Sequence, residues 1–120
     1  MQNGTVNSTL TQYLLSLGFL PKYSGFIYIK QCVEYVIDHN CILCSLSKTI
    51  YPYVADHNAT TAINIERNIR NSIKCAKQFC LDNGIKDNIF FQINKISNKT
   101  MIGYLVDQIM NSVMEMNQVV

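Results

Sequence analysis

Arginine, asparagine and lysine side chains recur at helical spacing near the middle of this sequence. An arginine guanidinium can donate two parallel hydrogen bonds to guanine, an asparagine amide can pair with adenine, and a lysine can neutralise a phosphate. A helix face that combines all three side-chain types is therefore suited to reading base edges in the major groove of duplex DNA. The residues expected on this face are Asn64, Arg67, Asn68, Asn71 and Lys74, with Arg70 on its flank.

An apolar stripe lies on the other side of the same segment, and it should pack against a core. The stripe consists of Ala62, Ile65, Ile69, Ile73 and Ala76. Thr60 or Thr61 can cap the helix, because a threonine hydroxyl accepts a hydrogen bond from an N–H of the first turn. The pattern predicts an amphipathic helix over about residues 60–77. The plainer interpretation is that its polar face is only solvated, as most polar helix faces are.

A second, shorter helix is predicted immediately before this one. Pro52 suits the first turn of a helix, where its missing N–H is not needed, and Val54 with Ala55 gives that helix a small apolar face. Residues 58–60, Asn-Ala-Thr, then form a turn. A short helix, a tight turn and a longer helix with a polar face make a helix-turn-helix, whose second helix enters the major groove.

Several short motifs around this unit match one known family in order and spacing. They are Thr49-Ile50-Tyr51-Pro52, Val54-Ala55, Thr60-Thr61-Ala62, Ile65-Glu66-Arg67, Ile69-Arg70 and Ile73, with Leu17-Gly18, Pro21 and Gly25-Phe26-Ile27-Tyr28-Ile29 upstream. The chain resembles the C-terminal effector domain of the sporulation master response regulator, stage-zero sporulation protein A. The resemblance extends from about Leu10 to Ile109. It implies a sequence-specific DNA-binding transcriptional regulator.

The resemblance also implies roles for single residues. Arg67 and Arg70 match the family's arginines that contact bases and phosphates, and Glu66 matches its neighbouring acidic reader. Asn64 and Asn71 stand where the family usually has arginine and histidine. Because these positions differ, the DNA sequence that is read should differ too.

Other matches and departures bear on the same surface. Ile63 stands where the family has a small polar residue and Asn68 where it has alanine, so the exposed face is richer in amides and poorer in cations. Thr60 and Thr61 can add hydroxyl contacts to phosphate beside the helix N-terminus, where the helix dipole favours anions. Family members also carry a receiver domain, for which the residues before Leu10 are too few. The expected partners are double-stranded DNA, a second copy on an adjacent site, and RNA polymerase.

Two other functions compete with DNA binding. An enzyme is disfavoured, because His39 and His57 lack a pattern of paired carboxylate and nucleophile and no glycine-rich phosphate loop occurs. The alternative is a protein-interaction module, which would pair with a full-length family regulator through the final helix without binding DNA itself. The changed residues at Asn64 and Asn71 keep that alternative open.

Composition and charge fit a small domain. The chain has 120 residues, 48% of them hydrophobic, and a net charge of only +2 at pH 7. Residues 60–77 hold four cations and one anion, a local charge of +3, so the remaining residues sum to −1. No apolar run approaches the roughly 20 residues of a membrane-spanning helix, and no signal peptide is recognisable. We therefore expect a cytoplasmic protein whose positive charge is concentrated on one helix.

Cysteines are a further group of residues that could do chemistry. Cys41 and Cys44 form a Cys-x-x-Cys pair, which could be redox-active or supply half of a zinc site. The second closely spaced pair of ligands that a structural zinc needs is missing. The expectation is reduced thiols in or near the core, with no metal, disulfide or cofactor, for these two and for Cys32, Cys75 and Cys80.

The remaining apolar periodicity predicts further helices. One runs from Leu10 to Leu17 and stops at Gly18, and a second covers about residues 25–38. A third, through Leu43 and Leu46, should end at Tyr51, since the residue before a proline disfavours helical geometry. After a stop at residues 81–84 we predict a loop with one short helix near residues 88–91.

A last helix is predicted from about Lys99, with an apolar stripe that must bury against the core or a partner. Together these elements predict an all-α fold, a compact bundle of about six helices that contains the helix-turn-helix. The domain should span residues 10–115, between a flexible segment at residues 1–9 and a tail at residues 116–120.

Overall fold

Six α-helices and one π-helical turn build the fold in a computed structural model, which describes residues 2–41 and 45–118. The helices are α1 (Gln2–Ser16), α2 (Ser24–His39), α3 (Tyr51–His57), α4 (Ala62–Asp82), α5 (Ile89–Gln92) and α6 (Asn98–Gln118), and the π-helical turn covers Leu46–Ile50. The described residues include no strand, and the predicted all-α bundle is confirmed. None of the described helices is both long and apolar enough to cross a membrane.

One hydrophobic core takes buried side chains from all six of these helices. α2 packs against α4 and α6, α1 packs against α6, and α3 packs against α4. The largest side chains with under 2% exposure are Phe19, Leu10, Leu14, Ile29, Ile50, Ile65, Ile69, Met101, Leu105, Ile109, Val33 and Val54. Because Ile65 and Ile69 of α4 belong to this set, one face of the predicted DNA-reading helix packs on the core.

α1 begins earlier than the sequence predicts. The flexible segment expected before Leu10 is helical from Gln2. Val6 lies one turn before Leu10, and its side chain is buried in the same core, which explains the extra turns. The helix ends before Gly18 as predicted, and Gly18 has a φ of +94° that residues with a Cβ rarely adopt.

The junction before α3 also departs from the prediction. A helix ending at Tyr51 is expected, but the π-helical turn runs directly into α3 and Tyr51 is helical, with φ −60° and ψ −43°. The wide turn is closed by Ser45, whose carbonyl oxygen accepts a hydrogen bond from the Ile50 N–H at 3.2 Å. Ile50 and Tyr51 are both buried, so their packing outweighs the local preference before proline. The part of this prediction that concerns Leu43 lies outside the described residues.

The C-terminal half agrees with the sequence more closely. α4 ends just before Gly84, α5 lies inside the predicted loop, and α6 begins at Asn98. In α6 the side chains of Ile102, Leu105 and Ile109 are buried, so the apolar stripe packs on the domain's own core. α6 continues through residues 116–118, which the sequence analysis assigns to a tail.

Candidate nucleic-acid interface

The turn between α3 and α4 is fixed to two helices. The Thr60 N–H donates a hydrogen bond to the Ala55 carbonyl oxygen at 3.0 Å, while Ala59 takes a left-handed conformation with a φ of +52°. Asn58 Nδ2 donates to Gln31 Oε1 of α2 at 2.6 Å. Because the turn is bonded to both α2 and α3, the direction in which α4 leaves it is defined.

The first turn of α4 is capped by a threonine, as predicted. Thr61 Oγ1 accepts a hydrogen bond from the Asn64 N–H at 3.1 Å. The neighbouring Thr60 Oγ1 accepts one from Asn64 Nδ2 at 2.9 Å. Both hydroxyl oxygens act as acceptors in these bonds, so each hydroxyl keeps its hydrogen as a donor for a phosphate.

The outer face of α4 presents three of the predicted DNA-contacting residues to solvent. The side chains of Arg67, Asn71 and Lys74 are exposed. The opposite face carries Ile65 and Ile69, which are fully buried. The structure thus separates a polar face from the core stripe along the same helix, as the sequence predicts.

Asn64 and Asn68 are placed differently from these three residues. Both are half-buried, and Asn68 Nδ2 donates to Asn64 Oδ1 at 3.0 Å and to the Asn64 carbonyl oxygen at 2.8 Å. Because Asn64 Nδ2 is bonded to Thr60, both ends of the Asn64 amide are engaged within the protein. Pairing with adenine needs both ends of an amide, so these residues must exchange hydrogen bonds before either can read that base.

Glu66 and Arg70 form an ion pair on the flank of α4 that lies away from Asn64 and Asn68. Arg70 Nη1 donates to Glu66 Oε2, and the two side chains are one turn apart. Both remain in contact with water, so the pair adds little to the free energy of unfolding. Its effect is to hold the guanidinium group of Arg70 along the helix surface.

A groove of about 970 Å³ lies beside this flank, between the π-helical turn, α4 and the segment that leads into α6. Five of the ten lysine and arginine residues of the chain line it: Arg70, Lys74, Lys77, Lys95 and Lys99. Glu66 is the one acidic side chain among its described lining residues, so the groove is strongly electropositive. Lys95 and Lys99 are not among the candidate residues of the sequence analysis, because both lie far from α4 in the chain.

Asn98, the first residue of α6, connects both helices of this unit. Its Nδ2 donates to the Tyr51 hydroxyl oxygen and to the Glu66 carbonyl oxygen, each at 3.1 Å. Burial raises the pKa of Tyr51 to about 12, although the hydrogen bond from Asn98 opposes the rise. Nothing in the sequence pattern indicated this link.

The described cysteines differ in their exposure to solvent. Cys32 and Cys80 are buried, and burial raises the pKa of the Cys32 thiol to about 12. Cys80 Sγ donates to the Leu17 carbonyl oxygen at 3.2 Å. Cys75 is exposed on α4, so the expectation that it lies in or near the core is wrong, because its position turns away from the core stripe. Cys44 lies outside the described residues, which hold no cluster of three or more His, Cys, Asp or Glu suited to a metal.

The relation of α3 to α4 defines the class of this protein. In a helix-turn-helix, the first helix crosses behind the second, and the second offers its outer face to the major groove. Here α3 packs on α4, the connecting turn is fixed, and the free face of α4 is polar and basic. The chain is thus a helix-turn-helix domain of the DNA-binding class.

Comparison with known proteins gives the family. Residues 10–113 match the family described as sporulation initiation factor Spo0A C terminal. The match covers most of the chain, and the protein belongs to this family. It is therefore a DNA-binding effector domain of the kind that regulates transcription in sporulation, and the family is one of DNA-binding domains rather than enzymes.

Proposed function

We propose that this domain is a sequence-specific transcriptional regulator that reads duplex DNA with the N-terminal half of α4 in the major groove. The observation that carries the proposal is the exposure of Arg67 and Asn71 on a helix whose opposite face is locked in the core. Arg67 is suited to fork onto guanine and Asn71 to pair with adenine. Glu66, on the adjoining flank, can accept a hydrogen bond from the amino group of cytosine.

The electropositive groove supplies contacts that do not depend on base sequence. Lys74 and Lys77 come from α4, whereas Lys95 lies in the segment before α6 and Lys99 lies in the first turn of α6. Two separate segments thus place positive charge along one flank of the reading helix, which fits the phosphate backbone of one DNA strand. Arg70, Thr60 and Thr61 belong to the same proposal as phosphate contacts, the two threonines at the N-terminus of α4.

The internal hydrogen bonds of Asn64 support a read sequence that differs from the family's usual one. By the resemblance, Asn64 stands where the family usually has an arginine, and its amide is bonded to Thr60 and Asn68. In this chain the base-reading task at that end of α4 therefore shifts to Arg67, with Asn64 and Asn68 contributing only after they change partners.

The rival function is a protein-interaction module that pairs through the final helix without binding DNA itself, and it has less apolar surface on α6 than the sequence suggests. It needs the apolar stripe of α6 as a contact surface, and Leu105 and Ile109 of that stripe are buried in the core. Met110 and Met114 remain exposed on α6. We include in the proposal that this smaller surface serves the pairing of two copies on adjacent DNA sites, and that the bound domain acts through contact with RNA polymerase.

A binding selection from random duplex DNA at physiological salt tests the proposal. The parent should enrich one short motif that contains guanine and adenine. Arg67→Ala, selected from the same pool, should lose enrichment at the guanine. No binding to any duplex would refute DNA reading and favour the interaction module. Binding without an enriched motif would leave a DNA-binding domain that lacks sequence specificity.

A further inference from the structure

Ile63 is the most exposed large apolar side chain among the described residues, at 70% exposure. The next most exposed is Met114, at 54%. Ile63 is the second residue of α4 and precedes Arg67 by one turn, on the side away from the core. An apolar side chain thus stands alone on the polar face that is proposed to read DNA.

Folding gives no reason for an isoleucine at this position. Its side chain buries little surface, and a β-branched residue has a lower helix propensity than the alanine, lysine or arginine that suit exposed positions. Single exposed apolar residues are common on proteins, so exposure alone carries no argument. The position of Ile63 does support a role in DNA recognition, since the N-terminal residues of the second helix in a helix-turn-helix contact base edges.

An isoleucine side chain has no hydrogen-bonding group, so it can discriminate bases only through an apolar contact. In the major groove the C5 methyl group of thymine is the apolar feature of the base pairs. We propose that Ile63 packs against a thymine methyl group and is a specificity-determining residue of this domain. This inference rests on the proposed function, in which the N-terminal half of α4 enters the major groove.

The spacing of Ile63 and Arg67 along α4 limits the base pairs at which that thymine can lie. Ile63 and Arg67 are separated by about 6 Å along the helix axis, at 1.5 Å per residue. Successive base pairs are about 3.4 Å apart. The thymine therefore lies within about two base pairs of the guanine that Arg67 contacts.

Replacing single thymines of the selected duplex by deoxyuridine tests the inference, because this change removes only the methyl group. For the parent protein, affinity should fall about fourfold at one position, the factor that corresponds to one buried methyl group. Ile63→Ser should bind the unmodified duplex more weakly and show no response to deoxyuridine at that position. Ile63→Val keeps a branched apolar side chain and should still respond.

Leu81→Ser is the matched control, since Leu81 is 52% exposed on the same helix, about 27 Å from Ile63 along its axis. It should bind like the parent and keep the deoxyuridine response. A parent that binds its site but responds at no thymine overturns the inference, as does an Ile63→Ser variant that responds like the parent. Both results leave DNA reading intact. A parent that binds no duplex overturns the proposed function as well.

Discussion

Gly25 and Ser72 lie so close together that no side chain fits between them. A Cβ placed on Gly25 would stand 2.0 Å from Ser72 Oγ and 2.4 Å from the carbonyl oxygen of Asn68. The second of these atoms belongs to the backbone, so it cannot rotate away as a side chain could. α2 therefore packs directly on the backbone of α4, and the absence of a side chain at Gly25 permits this close approach.

Gly25→Ala should lower the free energy of unfolding by about 2–3 kcal/mol, because the added methyl group forces the two helices apart. Urea unfolding followed by circular dichroism measures the effect. Gly103→Ala is the matched control: Gly103 lies in α6, and a Cβ there meets no atom within 4 Å. That variant should gain up to about 1 kcal/mol from the higher helix propensity of alanine. Equal unfolding midpoints for the two variants would contradict the close approach.

Arg67→Ala and Lys74→Ala should weaken DNA binding in different ways. Arg67→Ala should cost about 1–3 kcal/mol at the selected site with unchanged helix content, because the exposed side chain contributes to base contact and not to the core. Lys74→Ala should weaken binding to all sequences alike and reduce the slope of log affinity against log salt by about one.

Gel shifts over a range of salt concentrations separate these two behaviours. Lys86→Ala provides the control, since Lys86 is exposed but lies outside the electropositive groove. It should leave both affinity and salt slope close to those of the parent. The assigned role of Arg67 is wrong if its alanine variant binds the selected site as tightly as the parent.

Two copies should bind a pair of neighbouring half-sites cooperatively, because one small module buries too little DNA surface for strong discrimination. Affinity should fall when about five base pairs, half a helical turn, are inserted between the half-sites. Replacing Met110 and Met114 together by serine should reduce the coupling and leave single-site affinity unchanged. The same replacement at Leu15, an exposed residue of α1, is the control. Equal affinity per site at every spacing would exclude pairing but not binding by single copies.

Ala59→Gly should stabilise the domain. Ala59 has a φ of +52°, and a left-handed conformation costs a residue with a Cβ roughly 1–2 kcal/mol. Glycine removes this cost, although its greater freedom in the unfolded chain offsets part of the gain. We expect a net increase of about 1 kcal/mol in urea unfolding, and a decrease for Ala59→Val. A glycine variant less stable than the parent would argue against the left-handed turn.

The cysteines should differ in reactivity towards a thiol reagent. Cys75 is exposed and should be modified in the native protein, whereas Cys32 and Cys80 are buried and should react only after unfolding. The pKa of about 12 at Cys32 also keeps its reactive thiolate form rare. Alkylation with mass spectrometry measures the order, and elemental analysis of the same sample should find no stoichiometric zinc. One zinc per chain would contradict this and direct attention to Cys41 and Cys44.

Periodicity was sufficient to predict the long helices and their buried faces. α4 is the clearest example, since Ile65, Ile69 and Ile73 recur about one turn apart and all three are buried. Periodicity was insufficient at the start of α1, where the described side chains add only one buried apolar residue, Val6, before Leu10. The prediction that a helix ends before Pro52 also failed. The rule about the residue before a proline is local, and it does not include the surface that neighbouring side chains bury.

The candidate site was predictable to a similar extent. The sequence indicates which side chains leave the surface of α4, because helical geometry fixes their directions. It does not indicate that Asn64 and Asn68 bond to each other, since an amide can choose among several partners. Lys95 and Arg70 line the same groove because the segment before α6 folds back towards α4. No local sequence pattern predicts that fold.

The hydrogen bonds of Asn98 limit how far the proposed DNA-reading pair, α3 and α4, can be moved into another protein. α3 and α4 are both bonded to the first residue of α6, and α4 rests on a core to which Leu105 contributes. A fragment that holds only α3 and α4 would carry Arg67 and Asn71 but would lose the hydrogen bonds from Asn98 and the packing of α4 on α6. A new DNA specificity should therefore be engineered by exchanging outer-face residues of α4 within the complete domain.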